Sequence, residues 1–488
     1  MGVNNLQSFF EPEGVALVGA RRSPGFGYGI PLFLQTQGWA NRLYLVNPAG
    51  GELHGMKVFK ALKDIPAPVD LAIVIVPAEA VPRVLKAIGD LGIKSVIVES
   101  AGFAETGDRG RDLQEEIGTI AKKYEMRVIG PNCVGVVNTL NHFASVELVE
   151  ESMTPGPVSI IAQSGVFGNI LLDHMPHRGL FISKAITLGN RADVDENDSL
   201  DYLGKDPTTK VIMLYLEGAA DGPSLIKTLK QITPQKPVLI LKSGRTAPGK
   251  QATASHTGSM SGEDSIYDAV FSQTQAIRAQ SLSHLLDLAR VFATQPLPRG
   301  NRLGIITTSG SLGAIATDVA VSAGLRVPNL SPSTTDQVRR MAPDWMNVRN
   351  PLDVGPSGTF SRALPLLLAD EEVDMVLSIM VVPYAVVKTV EAMGFTLKDW
   401  FGDLESLRGR FPDKPLLGVV VGHPAFVDDV ASLCGPNAPV FNTPEPAAYA
   451  LAALWGYAKG RGELKSIIHS ERIGHPKSTA IDSANPRF

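Results

Sequence analysis

Two stretches of this sequence repeat one another, and the repetition limits the possible folds more than any other feature. Residues 159–180 (SIIAQSGVFGNILLDHMPHRGL) align without a gap with residues 304–325 (GIITTSGSLGAIATDVAVSAGL). Two further matches follow in the same order: Asn-x-x-Asp at 190–193 and 350–353, and KPVLILKSG (236–244) with KPLLGVVVG (414–422). Chance can give one such match, but three in one order indicate two copies of one fold.

Short apolar runs alternate with amphipathic stretches, which predicts parallel sheets connected by helices. In the first part, strands are expected at Gly14–Val18, Arg42–Val46, Leu71–Val76, Ser95–Val98 and Arg127–Ile129. Breaks rich in Pro and Gly follow at 155–157 and 296–300. We therefore predict an α/β protein with a Rossmann-like domain over 1–148, two repeated flavodoxin-like doubly wound domains over 149–298 and 299–465, and a tail over 466–488.

Composition excludes several classes of function. Charged residues make up 19% of the chain and its net charge is −4, without a basic block that would suit nucleic acid. Its apolar runs are shorter than the roughly 18 residues that a membrane span requires. The two cysteines, Cys133 and Cys434, are too few for a metal cluster or a disulfide framework. We expect a cytoplasmic enzyme in a reduced compartment.

The repeated segments each place a Ser-Gly pair between a strand and a helix, at Ser164-Gly165 and Ser309-Gly310. A helix start offers unpaired N–H groups and the positive end of the helix dipole, which together suit an anion. A single pair is explained equally well as a tight turn. Two pairs in related domains favour a shared phosphate site.

His256 lies in a run from Ser243 to Gly262 built mostly of small residues, where we expect a mobile loop. Neutral imidazole is a competent nucleophile for a phosphoryl group, although an ordinary exposed histidine remains the alternative. Such a histidine needs a carboxylate to orient its other nitrogen. Glu217, at the end of the strand KVIMLYLE, is the candidate, with an ordinary acid at the end of a strand as the alternative.

Three further motifs suggest an NAD site, a P-loop and a nucleophilic cysteine, and none of these three interpretations is favoured. Gly19-Ala20 follows a strand, but G-x-G-x-x-G is absent at the turn and the next strand ends in Asn47-Pro48, without the acid that holds the ribose of NAD. Coenzyme A fits a turn of this kind without that acid. GRTAPGKQ (244–251) resembles a P-loop but has Gln251 in place of the hydroxyl that holds magnesium. Cys133, in GPNCVG, is expected to form a tight turn and to have no nucleophilic role.

Taken together, these segments resemble the ADP-forming acyl-CoA synthetases, alpha subunit, within the succinyl-CoA synthetase superfamily. The resemblance runs from about residue 8 to about residue 460 and is carried by VALVGARRS, LVNP, VDLAIVIVPAEAV, ESAGFAETG, GPNCVGVVNT, AQSGVFG, LYLEG, GRTAPGKQATASHTGSMSG, TTSGSLGAIATD, RNPLDV and VFNTPEPAAYAL. It implies an acid–thiol ligase that converts an acid, CoA and ATP reversibly into acyl-CoA, ADP and phosphate. The intermediates would be a phosphohistidine and an acyl phosphate.

The resemblance also implies roles for individual residues. His256 would carry the phosphoryl group and Glu217 would stabilise it. The CoA site would be lined by Gly19, Ala20, Ser23, Asn47, Pro48, Pro77, Ser100, Ala101 and Asn132, and phosphate would be held by Ser164, Gly165, Ser309 and Gly310. Ser311 stands where the family usually has a second glycine, which would alter the grip on phosphate or the acyl pocket.

No segment resembles the ATP-grasp module that binds the nucleotide in this family. The resemblance therefore implies an ATP-grasp beta subunit that supplies ATP/ADP and Mg²⁺, in a heterotetramer. The acid would be a small carboxylic acid, and no metal site is expected in this chain. The alternatives are a non-catalytic CoA-binding regulatory protein and an acyl-CoA transferase or thioesterase that uses no nucleotide.

Overall fold

The first part of the chain forms a seven-stranded sheet in the computed structural model, which describes residues 6–257, 262–435 and 437–473, with side chains over 6–253, 262–435 and 437–462. Its elements are α1 (Gln7–Phe10), β1 (Val15–Val18), α2 (Ile30–Thr36), β2 (Leu43–Val46), β3 (Gly51–Leu53), β4 (Met56–Phe59), β5 (Leu71–Val74), α3 (Val81–Asp90), β6 (Ser95–Val98), α4 (Asp108–Tyr124) and β7 (Arg127–Ile129). The strands lie in the order β3-β4-β2-β1-β5-β6-β7, and only the pair β3 and β4 is antiparallel.

All five strands predicted for this part are present, as β1, β2, β5, β6 and β7. The hairpin β3–β4 was not predicted, because these short strands are exposed or half-buried except at Val58. The hairpin extends the sheet beyond β2 without changing the order of the five predicted strands.

The second sheet also has seven strands. Its elements are β8 (Gly135–Asn138), β9 (Phe143–Ala144), β10 (Pro155–Ala162), α5 (Gly165–His174), β11 (Ile182–Thr187), α6 (Glu196–Lys205), β12 (Val211–Leu216), α7 (Gly222–Ile232), β13 (Val238–Lys242), α8 (Ala247–Thr257), α9 (Asp264–Thr274), β14 (Ile277–Ala279) and α10 (Leu282–Thr294). The order is β14-β13-β12-β10-β11-β8-β9, in which β8 pairs antiparallel with both of its neighbours.

The third sheet has five parallel strands in the order β16-β15-β17-β18-β19. Its elements are β15 (Leu303–Thr307), α11 (Gly310–Ser322), α12 (Pro332–Arg339), β16 (Leu352–Asp353), α13 (Phe360–Ala369), β17 (Met375–Met380), α14 (Tyr384–Ala392), α15 (Leu397–Phe401), α16 (Leu404–Arg410), β18 (Leu416–Val420), α17 (Pro424–Cys434), β19 (Val440–Phe441) and α18 (Pro444–Ile473). No helix among the described residues is long and apolar enough to cross a membrane.

The parallel strands of the second and third sheets share one topology. Counted along the chain, both run in the order 2-1-3-4-5, the flavodoxin-like order. The predicted duplication of a doubly wound fold is therefore confirmed. In this topology the connections diverge beside the first strand, which opens a crevice at the carboxyl ends of the strands.

The hairpin β8–β9 joins the first part of the chain to the second sheet. Although the segment follows β7 directly, β8 pairs with β11 from Gly135 opposite Thr187 to Asn138 opposite Lys184. The backbone of 187–194 continues this contact, since the amides of Asn190, Ala192 and Val194 donate to carbonyls in the segment from 128 to 131. The chain therefore enters the second sheet at Gly135, before the domain boundary that was expected at residue 148.

Helix α18 attaches the third sheet to the second domain. It packs on α10 and α11 through a buried face that includes Leu451, Leu454 and Tyr457. The Tyr457 hydroxyl donates to the Thr233 carbonyl at 2.7 Å, and the Arg461 guanidinium donates to the Pro234 carbonyl at 2.8 Å. One helix thus reaches the loop that follows α7 in the other domain.

We expect Tyr457→Phe to lower the free energy of unfolding by about 1–2 kcal/mol, because the Thr233 carbonyl would stay buried without its donor. Urea and thermal unfolding would measure the loss. Tyr449→Phe is the matched control on the same helix, since Tyr449 is exposed. Equal stability of the two variants would show that the buried hydrogen bond contributes nothing.

Candidate functional site

A cavity of about 1270 Å³ lies at the carboxyl ends of the strands of the first sheet. The ends of β1, β2, β5 and β6 form its wall, at the point where the connections of that sheet diverge. The cavity continues to the start of α5 in the second domain. Of the nine residues predicted to bind CoA, seven line it: Gly19, Asn47, Pro48, Pro77, Ser100, Ala101 and Asn132.

The turn after β1 has a conformation that requires glycine. Gly19 has φ +98°, and a β-carbon there would collide with the Ile75 carbonyl. Asn47 braces this turn from the next strand, because its Nδ2 donates to the Ala20 carbonyl at 3.0 Å. Ala20 is therefore buried behind the cavity wall, and Ser23 is exposed outside the cavity. These two predicted residues do not line the cavity.

Polar side chains form hydrogen bonds in the wall of the cavity at the ends of β5 and β6 and at Asn132. The Ser100 hydroxyl accepts from the Val76 amide at 3.0 Å, which holds the loops after β5 and β6 together. Asn132 has φ +60° and donates through Nδ2 to the Asn190 side chain at 3.3 Å. Because Asn190 belongs to the second domain, the two domains share this wall.

Two residues that line the cavity, Glu99 and Cys133, have ionisable side chains that were not predicted to lie there. Glu99 is almost fully buried, and burial raises the pKa of its carboxyl well above the usual value, with the nearby Glu147 charge adding to the shift. The Cys133 thiol donates to the Val98 carbonyl at 3.4 Å, and burial likewise raises its pKa. Cys133 therefore stays a neutral thiol, which agrees with the expected structural turn.

The inner end of the cavity is the start of α5. Ser164 is the N-cap of this helix, and its hydroxyl accepts from the Phe167 amide at 3.5 Å. Gly165 packs so closely on Val134 that a β-carbon would lie 2.8 Å from its Cγ2. The predicted anion-binding turn of the second domain and the predicted CoA residues thus line one continuous cavity.

Glu217 follows β12 and is 3% exposed. Its backbone amide donates to Gln163 Oε1 at 2.6 Å, and the Gly218 amide donates to the same oxygen at 3.2 Å. Gln163 precedes Ser164 at the end of β10, so one side chain connects the backbone of Glu217 to the turn at Ser164-Gly165. Arg191 and the buried Glu196 form an ion pair at 3.0 Å behind this network.

Lys242 is a further buried charge that the sequence reasoning did not single out. It ends β13, is 2% exposed, and lies with Nζ 4.7 Å from the centre of the Tyr267 ring. Burial lowers its pKa to about 8, against the opposing attraction of the Asp264 and Glu217 carboxylates. In the repeated segment of the third domain, the equivalent position is the fully buried Val420.

The segment that carries His256 differs from the expected loop. Residues Ala247–Thr257 form helix α8, so the prediction of a loop throughout Ser243–Gly262 was wrong for this stretch. Thr246 starts the helix, since its hydroxyl accepts from the Gly249 amide at 3.2 Å, and Pro248 is compatible with a first turn. Helix α8 packs on the turn at Ala104–Thr106, next to Ala101 of the cavity wall. The side chain of His256 lies outside the described residues.

The second Ser-Gly pair also starts a helix, α11. The Ser309 hydroxyl lies 3.0 Å from that of Ser311, and a β-carbon on Gly310 would lie 2.6 Å from Asp353 Oδ2. A carboxylate at this helix start interacts favourably with the positive end of the helix dipole. Ser309 and Gly310 do not line the cavity that contains Ser164 and Gly165. Their role in a shared phosphate site stays a prediction.

The lowered pKa of Lys242 predicts a pH effect on stability. The unfolded chain binds a proton at this residue below about pH 10.4, whereas the native protein does so only below about pH 8. The free energy of unfolding should therefore fall as the pH drops from about 10.4 to 8 and then level off, by on the order of 3 kcal/mol.

Lys242→Val, which copies the third domain, should remove this slope and raise stability at pH 7.5. Urea unfolding between pH 7 and 10.5 would measure both effects. Lys250→Val is the control, because Lys250 forms an ion pair with Glu263 at 2.6 Å and is less buried. A slope that persists in Lys242→Val would assign it to another group.

Comparison with known proteins agrees with this geometry. Residues 13–139 match the family model of the CoA binding domain, and residues 155–292 match that of the succinyl-CoA ligase like flavodoxin domain. An acetyl-coenzyme A synthetase 1 of Candidatus Korarchaeum cryptofilum, solved in complex with phosphate and ADP, superposes with a TM-score of 0.83 at 29% identity, covering 96% of this chain and 99% of that one.

Curated relatives extend the match to nearly the whole chain. The alpha subunit of ADP-forming acetate–CoA ligase II from Pyrococcus furiosus is 37% identical over 464 residues, 94% of this chain and 99% of the relative. The ADP-forming acetate–CoA ligase of Methanocaldococcus jannaschii is 39% identical over 345 residues, 70% of this chain and 48% of that longer protein. The resemblance drawn from the motifs is confirmed: this chain belongs to the alpha-subunit family of the ADP-forming acyl-CoA ligases, within the succinyl-CoA synthetase superfamily.

Proposed function

We propose that this chain is the CoA-binding, phosphoryl-carrying subunit of an ADP-forming acyl-CoA ligase. His256 is the phosphoryl carrier and Glu217 is the carboxylate that orients its ring. The reaction joins a small carboxylic acid to coenzyme A at the expense of ATP, and releases ADP and phosphate. It is reversible, because a thioester and a phosphoanhydride store similar free energy.

One observation carries this proposal most directly. Ser164, the cap of α5, lines the inner end of the cavity, and Gln163 beside it holds the backbone of Glu217 at 2.6 Å. A helix start that suits an anion and a long cavity therefore meet at Ser164, and the buried Glu217 is connected to them through Gln163. These are the groups that a phosphohistidine, its stabiliser and an incoming thiol require.

The cavity also has the size and chemistry for coenzyme A. Its volume of about 1270 Å³ exceeds the range typical of drug-sized ligands, as a long cofactor requires. Gly19, in the turn after β1, lines the cavity. When bound there, coenzyme A supplies the thiol that becomes the thioester. The proposed binding residues are those predicted from the sequence that line the cavity, with Ala20 and Ser23 behind and beside it.

In the proposed mechanism, the imidazole of His256 takes the γ-phosphoryl group of ATP and passes it to the carboxylate of the acid. The mixed anhydride formed is an acyl phosphate, whose carbonyl is open to attack by a thiol. The start of α5 neutralises the phosphoryl charge with fixed N–H dipoles that need no reorganisation during transfer. Ser309 and Gly310 are proposed to provide the second helix start of this kind.

The nucleotide is proposed to bind elsewhere, on an ATP-grasp beta subunit that also holds Mg²⁺. Two relatives that are named as alpha subunits match this chain almost end to end, which supports a separate partner subunit. Another relative is a longer protein than this chain. In the P-loop-like segment, Lys250 pairs with Glu263 at 2.6 Å and is thereby drawn away from a phosphate. We propose a heterotetramer of two alpha and two beta subunits.

The acid is proposed to be small. The relatives named above act on acetate according to their names, and others are named for 4-hydroxybutyrate and trans-ferulate. This range shows that the fold tolerates acids of different size. Turnover on a panel from acetate to aryl acids would identify the acid of this chain.

The central test is phosphorylation of the carrier. Incubated with its partner subunit and γ-labelled ATP, the protein should form an adduct that is labile to acid and stable to base. His256→Asn should abolish it. Glu217→Gln should shorten its lifetime by about tenfold or more, because a carboxylate-to-imidazole hydrogen bond is charge-assisted.

His177→Asn provides the matched control, because His177 is an exposed histidine of the same domain. It should leave the adduct unchanged. An adduct that survives His256→Asn would refute the carrier assignment, and an unchanged lifetime in Glu217→Gln would remove that carboxylate from the mechanism.

A further inference from the structure

The outer end of the cavity, away from the start of α5, is lined by basic side chains. Arg21, Lys60, Lys63 and Arg83 all line it, from three different segments of the first part of the chain. Within the part of the chain that the structure describes, none of the four side chains has an ion pair or a hydrogen bond. Four cations around one cavity favour an anionic ligand, because their charges add to a positive potential inside it.

The nearby acids are already engaged. Asp64 accepts from the Ala61 amide at 3.2 Å, and Asp90 accepts from the Tyr124 hydroxyl at 2.9 Å. By contrast, Lys86 on the same helix as Arg83 does have a partner, Glu116 at 3.0 Å. Lys86 does not line the cavity, so it serves as a matched reference for the four cations that do.

Apolar side chains lie among these cations. Leu62 comes from the turn between Lys60 and Lys63, and Val84, Ala87 and Leu91 come from α3 and the residue after it. An apolar slot bordered by cations suits a flat base with attached phosphates. Because the reacting groups lie at the inner end beside Ser164, an elongated ligand with its thiol inward has its nucleotide end here.

We propose that Lys60, Lys63 and Arg83 recognise the 3′-phosphate of coenzyme A and make the enzyme select it over dephospho-CoA. This inference rests on the proposed function. Arg21 adjoins the turn after β1, where backbone N–H groups suit the diphosphate that both molecules share. The other three cations lie on segments beyond that turn, around the apolar slot, and they are available for the phosphate that only coenzyme A carries.

The test compares the two acceptors in the complete enzyme with its partner subunit. For Lys60→Gln/Lys63→Gln and for Arg83→Gln, kcat/KM for coenzyme A should fall by about tenfold or more, as expected for loss of charge-assisted phosphate contacts. For dephospho-CoA, kcat/KM should change less than about twofold, since the missing contact was never made. Lys86→Gln is the control and should leave both values unchanged.

Equal losses for both acceptors would overturn the proposal and assign the cations to the diphosphate. Unchanged values for both would also overturn it. Titration of the wild-type chain with each acceptor adds a readout that needs no turnover, and equally tight binding of the two would again refute selection. Labelling of His256 by ATP in the same preparations separates this result from the proposed function, because the cation variants should keep normal labelling.

Discussion

The antiparallel pairing of β8 with β11 is the interaction on which the rest of the site depends. It makes a segment that follows the first sheet into part of the second sheet, and the backbone contacts between 128–131 and 190–194 extend the connection. A cavity that spans two domains keeps its shape only if the domains are fixed relative to each other. Here the fixing element is a shared sheet, which is far more rigid than a packed interface between mobile domains.

Because of this pairing, polar residues near the junction form hydrogen bonds between the two domains. Asn132 contacts Asn190, and the Thr187 hydroxyl accepts from the Val134 amide at 2.8 Å. The start of α5 then lies beside Val134, so the turn at Ser164-Gly165 is held against the end of the first sheet. The geometry of the inner cavity is thus set by backbone pairing and does not depend on surface charges that salt would screen.

The sequence predicted the parts of the fold that periodicity and repetition encode. Five of the seven strands of the first sheet and the duplicated topology follow from buried apolar runs whose spacing is regular. The hairpin β3–β4 and the crossing of β8 into the second sheet were missed, because exposed short strands and long-range pairing leave no local pattern. Helix α8 was missed for a different reason: its small residues suggest a loop, although Thr246 and Pro248 carry the signal of a helix start.

For the candidate site, residue motifs singled out Gly19, which lines the cavity, and Glu217, whose role stays a prediction, since each follows a recognisable strand. The buried charges Glu99 and Lys242 were not found, because their burial depends on how the sheets pack. Lys242 and Val420 occupy equivalent positions in two copies of one fold. The comparison shows that the first copy loses stability at this position. The copy with the apolar residue keeps the stability that burial provides, while the other copy retains a buried charge that disfavours the native state. Duplication has thus allowed one position of a shared fold to hold an apolar residue in one copy and a buried charge in the other.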